Sequence, residues 1–333
     1  MKYKTPLVSV TFSVTVLVSS VAVAQQNVGD TPTQARTPDG EFISWKEHII
    51  DDPETAGFGL SGSDGLVMAD IDDDGYEDIV SVHESDSEYD SGAYDPDFVP
   101  DAAGHVRIAF GSNNPDRWEN ITLAEGSDAP APEDAAIADF NNDGFLDVVV
   151  AAELSHLIYL QNPGANIRTT QWRRLIIPMT RGTGSYIRVF AADLDGDGIP
   201  EVSAANKGAQ RPGPPDYARA TPVSVFKFDG DPLDDGSWSE IVLGRYSVPQ
   251  NSEPIDIDGD GDLDIMVGTR GEDRLILFEN ISQNGRMEFK EHAIGINRNS
   301  ASGFNMEYSD LNGDERLDII VRTRNGLSWL EQP

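Results

Sequence analysis

Short runs of β-branched residues recur along most of the chain: Ile79-Val80-Ser81-Val82, Val148-Val149-Val150, Val202-Ser203-Ala204, Ile265-Met266-Val267 and Ile319-Ile320-Val321. Each is followed by a second apolar run bearing aromatics or leucines: HVRIAFG (105–111), HLIYLQN (156–162), VSVFKF (223–228), RLILFEN (274–280) and LSWLEQ (327–332). A third run with alternating polarity lies ahead of the next unit: DRWENITL (116–123), QWRRLII (171–177), SWSEIVL (237–243) and MEFKEHAI (287–294). Runs this short, separated by Gly, Pro and Asn, predict β-strands and turns. No helical period accompanies them, so the predicted class is all-β.

Ahead of each β-branched run stands a nine-residue segment with acids or asparagine at positions 1, 3, 5 and 9. It reads DIDDDGYED (70–78), DFNNDGFLD (139–147), DLDGDGIPE (193–201), DIDGDGDLD (256–264) and DLNGDERLD (310–318). A further strand is expected to lead into each segment, so every unit has four strands with the acidic loop joining the innermost to the second. Four-stranded units repeated radially make a β-propeller, here of five blades. The N-terminal SWKEHII (44–50) matches the outermost-strand pattern, yet no inner strand precedes it. It is expected to complete the last blade, which closes the ring and covers the sheet edges.

The repeats resemble the FG-GAP/VCBS class of propeller repeats, seen in integrin α-subunit propellers and many secreted bacterial proteins. The resemblance covers about residues 44–333. It implies a fold and a metal, and leaves the activity open.

Alternate acids on a tight turn bring several side-chain oxygens to one point, and hard oxygen donors in that number suit calcium better than zinc or copper. By analogy with other aspartate-rich loops, positions 1, 3, 5 and 9 offer side chains and position 7 a carbonyl. The expected ligands are Asp70, Asp72, Asp74 and Asp78; Asp139, Asn141, Asp143 and Asp147; and Asp193, Asp195, Asp197 and Glu201. Asp256, Asp258, Asp260 and Asp264, with Asp310, Asn312, Asp314 and Asp318, complete up to five structural Ca2+ sites. An EF-hand opens with the same spacing but requires Glu at position 12 and flanking helices. Position 12 here is Ser81, Val150, Ala204, Val267 and Val321, which excludes it. The fifth loop has Glu315 where the others have glycine and is expected to be the weakest.

Charge narrows the partners. With 58 Asp+Glu against 24 Lys+Arg, the formal net charge is −34, which excludes a nucleic-acid backbone or an anionic bilayer as a partner bound through net charge. The chain has no cysteine, so neither disulfides nor a bacterial lipid attachment site are available. Lys2 and Lys4 followed by an apolar run over 6–21 and by Ala22-Val23-Ala24 predict a cleaved signal peptide over 1–24. A polar linker over 25–40 and one propeller domain over 41–333 follow, in a secreted or periplasmic protein without stable membrane insertion after cleavage. The oligomeric state is left open.

If the acidic loops share one rim, the second strands end on the other. Glu84, Glu153, Lys207, Arg270 and Arg324 lie six places beyond position 9, and His83 lies five beyond it in the first unit. Inner strands enter that rim near Asp134, Arg188 and Asn305, and a Pro-rich insertion over 207–221 adds Tyr217. The expected ligand-binding residues are thus Glu84, Asp134, Glu153, Arg270, Asn305, Arg324 and Tyr217. The function this favours is an extracellular binding module, most plausibly for a glycan. The alternative is a polysaccharide lyase or sugar dehydratase with His83, Lys207 and Arg188 as catalytic groups. A structural or adhesive protein is the second alternative.

Overall fold

The computed structural model describes residues 35–40, 43, 45–85, 104–154, 156–283, 286–296, 301–323 and 326–333. The expected signal peptide, most of the expected linker, an acidic insertion over 86–103 and Arg324 lie outside the described residues. The chain divides into two units, residues 1–49 and residues 50–333, and the sheets belong to the second.

Five antiparallel sheets succeed one another along residues 50–333, each a simple meander. The first contains β1 (Ser63–Ala69), β2 (Asp78–His83), β3 (His105–Phe110) and β4 (Glu119–Glu125). The second contains β5 (Pro132–Ala138), β6 (Asp147–Ala152), β7 (His156–Gln161) and β8 (Arg173–Ile176). The third is β9 (Val189–Ala192), β10 (Glu201–Ala205), β11 (Ala220–Phe228) and β12 (Trp238–Ser247). The fourth is β13 (Pro249–Ile255), β14 (Asp264–Thr269), β15 (Arg274–Asn280) and β16 (Phe289–Ile294). The fifth has three strands, β17 (Met306–Ser309), β18 (Asp318–Thr323) and β19 (Gly326–Leu330). This is an all-β architecture of propeller blades.

Meandering sheets bury their two faces against neighbouring blades, so the cores lie between sheets. Val80, Val82, Ile108 and Phe110 of the first sheet pack on Val148, Val150, Ile158 and Leu160 of the second. Val149, Leu157 and Tyr159 meet Val202, Phe226 and Trp238 across the next junction. Val223 and Val225 meet Ile265, Val267, Ile276 and Phe278, and Met266 and Leu275 meet Met306, Ile319 and Val321. Each fully buried side chain of this size contributes about 2 kcal/mol of transfer free energy. The alternation seen in the sequence is muted in β6 and β14, which are buried throughout because both faces meet a blade.

The innermost strands lie side by side, β1 against β5, β5 against β9 and β9 against β13. Gly65 permits the first of these approaches: a Cβ there would stand 2.5 Å from the carbonyl of Glu133.

Residues 45–50 form no strand, and the fifth sheet has three strands among the described residues; its completion by residues 44–50 stays an expectation. Residues 50 and 51 are tied to the first sheet. The carbonyl of Ile50 accepts from Asn120 Nδ2 at 2.9 Å, and the Asp51 carboxylate pairs with Arg107. An apolar core joins each of the four successive sheet pairs; among the described residues none joins the fifth sheet to the first. Leu66 and Met68 on β1 and Leu327 and Trp329 on β19 remain exposed.

Candidate metal loops and the opposite rim

All five acidic segments join an innermost strand to a second strand, as expected, and share one backbone plan. The carboxylate at position 1 folds back to accept amides of the loop. Asp70 takes the N–H groups of Asp74 and Gly75 at 3.0 and 2.8 Å, and Asp139 those of Asp143 and Gly144 at 3.0 and 2.9 Å. Asp193 takes Asp197 and Gly198 at 3.1 and 2.9 Å, and Asp310 takes Asp314 and Glu315 at 3.1 and 2.9 Å. Position 6 has a positive φ every time: Gly75 89°, Gly144 88°, Gly198 87°, Gly261 97° and Glu315 69°. The non-glycine occupant strains the fifth loop.

Two features of the loops escaped the sequence reasoning. Position 4 is also left-handed, at Asp73 (58°), Asn142 (54°), Gly196 (75°), Gly259 (76°) and Gly313 (80°). The signal was present, because only Asp, Asn and Gly occupy that place, the residue types that tolerate this conformation. The second feature is the role of position 9. Asp78, Asp147, Glu201, Asp264 and Asp318 are all buried, and they act as staples. Asp78 accepts from Ile71 N at 3.0 Å and Gly111 N at 2.8 Å, Asp264 from Ile257 N at 3.3 Å and Asn280 N at 2.8 Å. Asp318 accepts from Leu311 N at 3.0 Å and Gln332 N at 2.9 Å. Asp147 takes Asn162 N at 2.8 Å and the Tyr159 hydroxyl at 2.6 Å. In these four blades the side chain ties its own segment to the third strand, and in three of them it also clamps the loop's second residue.

Asn162 and Asn280 extend this tie between blades. Their Nδ2 groups donate to Ile71 O and Leu146 O (3.3 and 3.0 Å), and to Leu194 O and Leu263 O (2.8 and 3.0 Å). Each thus bridges its own loop and that of the preceding blade. Their recurrence at the end of HLIYLQN and RLILFEN was the available signal.

The donor set suits a hard divalent cation. Oxygens of Asp70, Asp72 and Asp78 lie within 4.8 Å of one another, as do those of Asp193, Asp195 and Asp197, and of Asp256, Asp258 and Asp260. Burial pushes the position-9 carboxyls up, Asp78 and Asp264 to about 6 and Asp147 and Glu201 to about 7. Two loops are met by side-chain cations. Arg168 reaches Asp72 at 2.5 Å and Asp74 at 2.9 Å, and Lys227 reaches Asp195, Asp197 and Glu201 at 2.5, 2.9 and 3.2 Å. In the second and fifth loops Asn141 and Asn312 donate to Asp143 and Asp314 at 2.9 and 3.0 Å.

At the opposite ends of the sheets the expected functional residues separate into two groups. Glu84, Glu153 and Lys207 are buried, at 4%, 2% and 5% exposure. Lys207 pairs with Glu153 and donates to Gln210 O at 2.8 Å, while Glu133 hydrogen-bonds Glu153 and has a carboxylate oxygen within 4.8 Å of those of Asp64 and Glu84. Burial and the neighbouring carboxylates hold Glu133 far above the usual carboxyl range. His83 is buried between Ser63 Oγ (2.7 Å) and Ser81 Oγ (2.9 Å), and burial lowers its pKa. Arg188 lies 3.9 Å from Asp134, which accepts from Val189 N at 3.1 Å; both line a cavity of about 470 Å³ between the innermost strands. None of the described cavities gathers His83, Lys207 and Arg188 together.

The second group is accessible. Arg270 and Asn305 line a cavity of about 210 Å³ with Gln250, Ser302, Phe304 and Arg322. Tyr217, on a short helix over Pro214–Tyr217, is 37% exposed and lies outside it. Arg322, on β18, was not singled out by position counting.

Residues 139–203 and 256–329 match the family model of the FG-GAP-like repeat, regions that contain four of the five acidic loops. No curated protein matches the chain. The protein carries FG-GAP-like repeats folded as propeller blades, consistent with the FG-GAP/VCBS repeat family and with a binding or adhesion module.

Proposed function

We propose that the protein is an exported, calcium-stabilised propeller that binds an extracellular carbohydrate through the rim opposite the acidic loops. The observation that carries this reading is the division of chemistry between the two ends of the blades. One end carries acidic loops of common geometry. At the other, beside the carboxylates around Glu84 and Glu153, guanidinium, amide, hydroxyl and aromatic groups line an open cavity at Arg270 and Asn305. Amides and guanidiniums beside an aromatic ring are the donor set that sugar hydroxyls and carboxylates require.

Calcium would be held by the position-1, position-3 and position-5 side chains, with position 9 mainly fastening the loop. When bound, the ion supplies positive charge that relieves repulsion among these carboxylates. Ions bound only by the folded chain stabilise it by mass action, about 2.7 kcal/mol per site at a hundredfold excess over Kd. The loops therefore serve the fold, and the ligand is met elsewhere.

The test is affinity electrophoresis of the full chain through gels containing neutral or acidic polysaccharides, with calcium or a chelator present. Retardation by at least one polysaccharide, lost in chelator as the blades loosen, is the expected result. No retardation by any of them would sink the carbohydrate reading. New ultraviolet absorbance from unsaturated sugars would instead support the lyase.

A further inference from the structure

We infer that the cavity between the fourth and fifth blades is a subsite for the carboxylate of a uronic acid within a short glycan. The inference rests on the carbohydrate reading above and narrows it to a substrate class.

The cavity is built from well-defined elements. Gln250 belongs to β13, Arg270 follows β14, Asn305 precedes β17 and Arg322 lies on β18. The amide of Arg270 is fixed by Val248 O at 2.9 Å, and Gln250 is 7% exposed. Two guanidiniums thus share one small cavity, whose other polar groups are amides and a hydroxyl. A third, that of Arg188, stands 5.4 Å from the ring centre of Phe304, another lining residue.

Charge bears on this arrangement. The chain carries 58 acids against 24 bases, and eight of its arginines lie within 4 Å of a carboxylate among the described residues. Among the described residues, Arg270 and Arg322 are in no ion pair, and no carboxylate lines their cavity. Like charges held together without a counter-charge disfavour one another, and an anionic ligand removes that cost. Guanidinium groups match carboxylates through paired, charge-assisted hydrogen bonds.

The same charge balance limits the ligand. A net charge of −34 repels a dense polyanion at long range, so nucleic acid and heavily charged polymers are poor candidates. An isolated carboxylate on an otherwise neutral oligosaccharide meets only the local arginines. The cavity, at about 210 Å³, has room for the carboxylate-bearing end of one sugar, with Phe304 offering apolar surface beside the amide and hydroxyl groups.

The test uses tetrasaccharides containing one glucuronate, galacturonate or mannuronate residue, each beside its methyl ester and a sulfated analogue, in calorimetric titrations of the calcium-loaded chain. At least one uronate is expected to bind about tenfold or more tighter than its ester. Arg270→Gln and Arg322→Gln are expected to bring acid and ester affinities to parity, lowering acid affinity far more than ester affinity, with the thermal midpoint unchanged. Equal affinity for acid and ester, a preference surviving in both variants, or binding confined to the sulfated sugars would overturn the inference while leaving carbohydrate binding intact. Binding of none of the sugars would overturn the inference and the reading on which it rests.

Discussion

Glu315 offers a quantitative test of the loop geometry. It occupies the sixth loop position with φ 69°, where the other four loops have glycine between 87° and 97°. A residue with a Cβ pays about 1–2 kcal/mol in this conformation. Glycine loses more freedom on folding, which returns about 0.4–1 kcal/mol. The Glu315 amide donates to Asp310 Oδ2 at 2.9 Å, a backbone contact that glycine keeps. The side chain is exposed and adds negative charge beside Asp310 and Asp314. Glu315→Gly is therefore expected to stabilise the chain by about 0.5–1 kcal/mol. At a urea m-value of about 3 kcal/mol/M that is an upward midpoint shift of roughly 0.2–0.3 M. Gly261→Glu in the fourth loop supplies the mirror experiment and should destabilise by about 0.5–1 kcal/mol. A neutral or destabilising Glu315→Gly, together with a tolerated Gly261→Glu, would refute the strain argument.

Three further outcomes are expected. Asp264→Ala removes a buried staple and leaves two backbone amides unpaired, so it should cost about 3 kcal/mol with or without calcium in denaturant titrations; Asp258→Ala should cost stability only when calcium is present, and equal losses in chelator would contradict the division of roles. Lys227→Met frees the carboxylates of the third loop, so isothermal titration should show tighter calcium binding at that loop; unchanged affinity would mean that the ammonium does not compete. Glu133 has a raised folded-state pKa, so between about pH 4.5 and that value the native state holds a proton the unfolded chain has lost, and stability falls as pH rises. Glu133→Gln should flatten this slope, and a slope equal to that of the parent chain would show that Glu133 is not its source.

Much of the architecture was legible because a blade writes itself locally. β-branched runs and five loops in one register place the strands without any tertiary information, as β6, β10 and β14 illustrate. The path of the chain just after SWKEHII was not legible: Arg107 and Asn120 hold Asp51 and Ile50 on the first sheet, from 56 and 70 residues away. Counting from the loops found Arg270 and Asn305 at an open cavity, yet the same counting led to Glu153 and Lys207, which pair in the interior. Whether the residue beyond a strand reaches solvent or turns between blades depends on the neighbouring blade, and spacing alone carries no record of it. The fastening role of position 9 was hidden for a related reason. Its acid type suits a metal, while its burial and amide partners come from the third strand.

The most direct measurement is calorimetric unfolding of the full chain after chelation and after readdition of calcium or magnesium. Calcium is expected to raise the unfolding temperature by roughly 10 °C, the consequence of two or more sites at about 2.7 kcal/mol each, with magnesium much less effective. Coincident transitions in chelator and in calcium would contradict the claim that these loops hold the propeller through calcium.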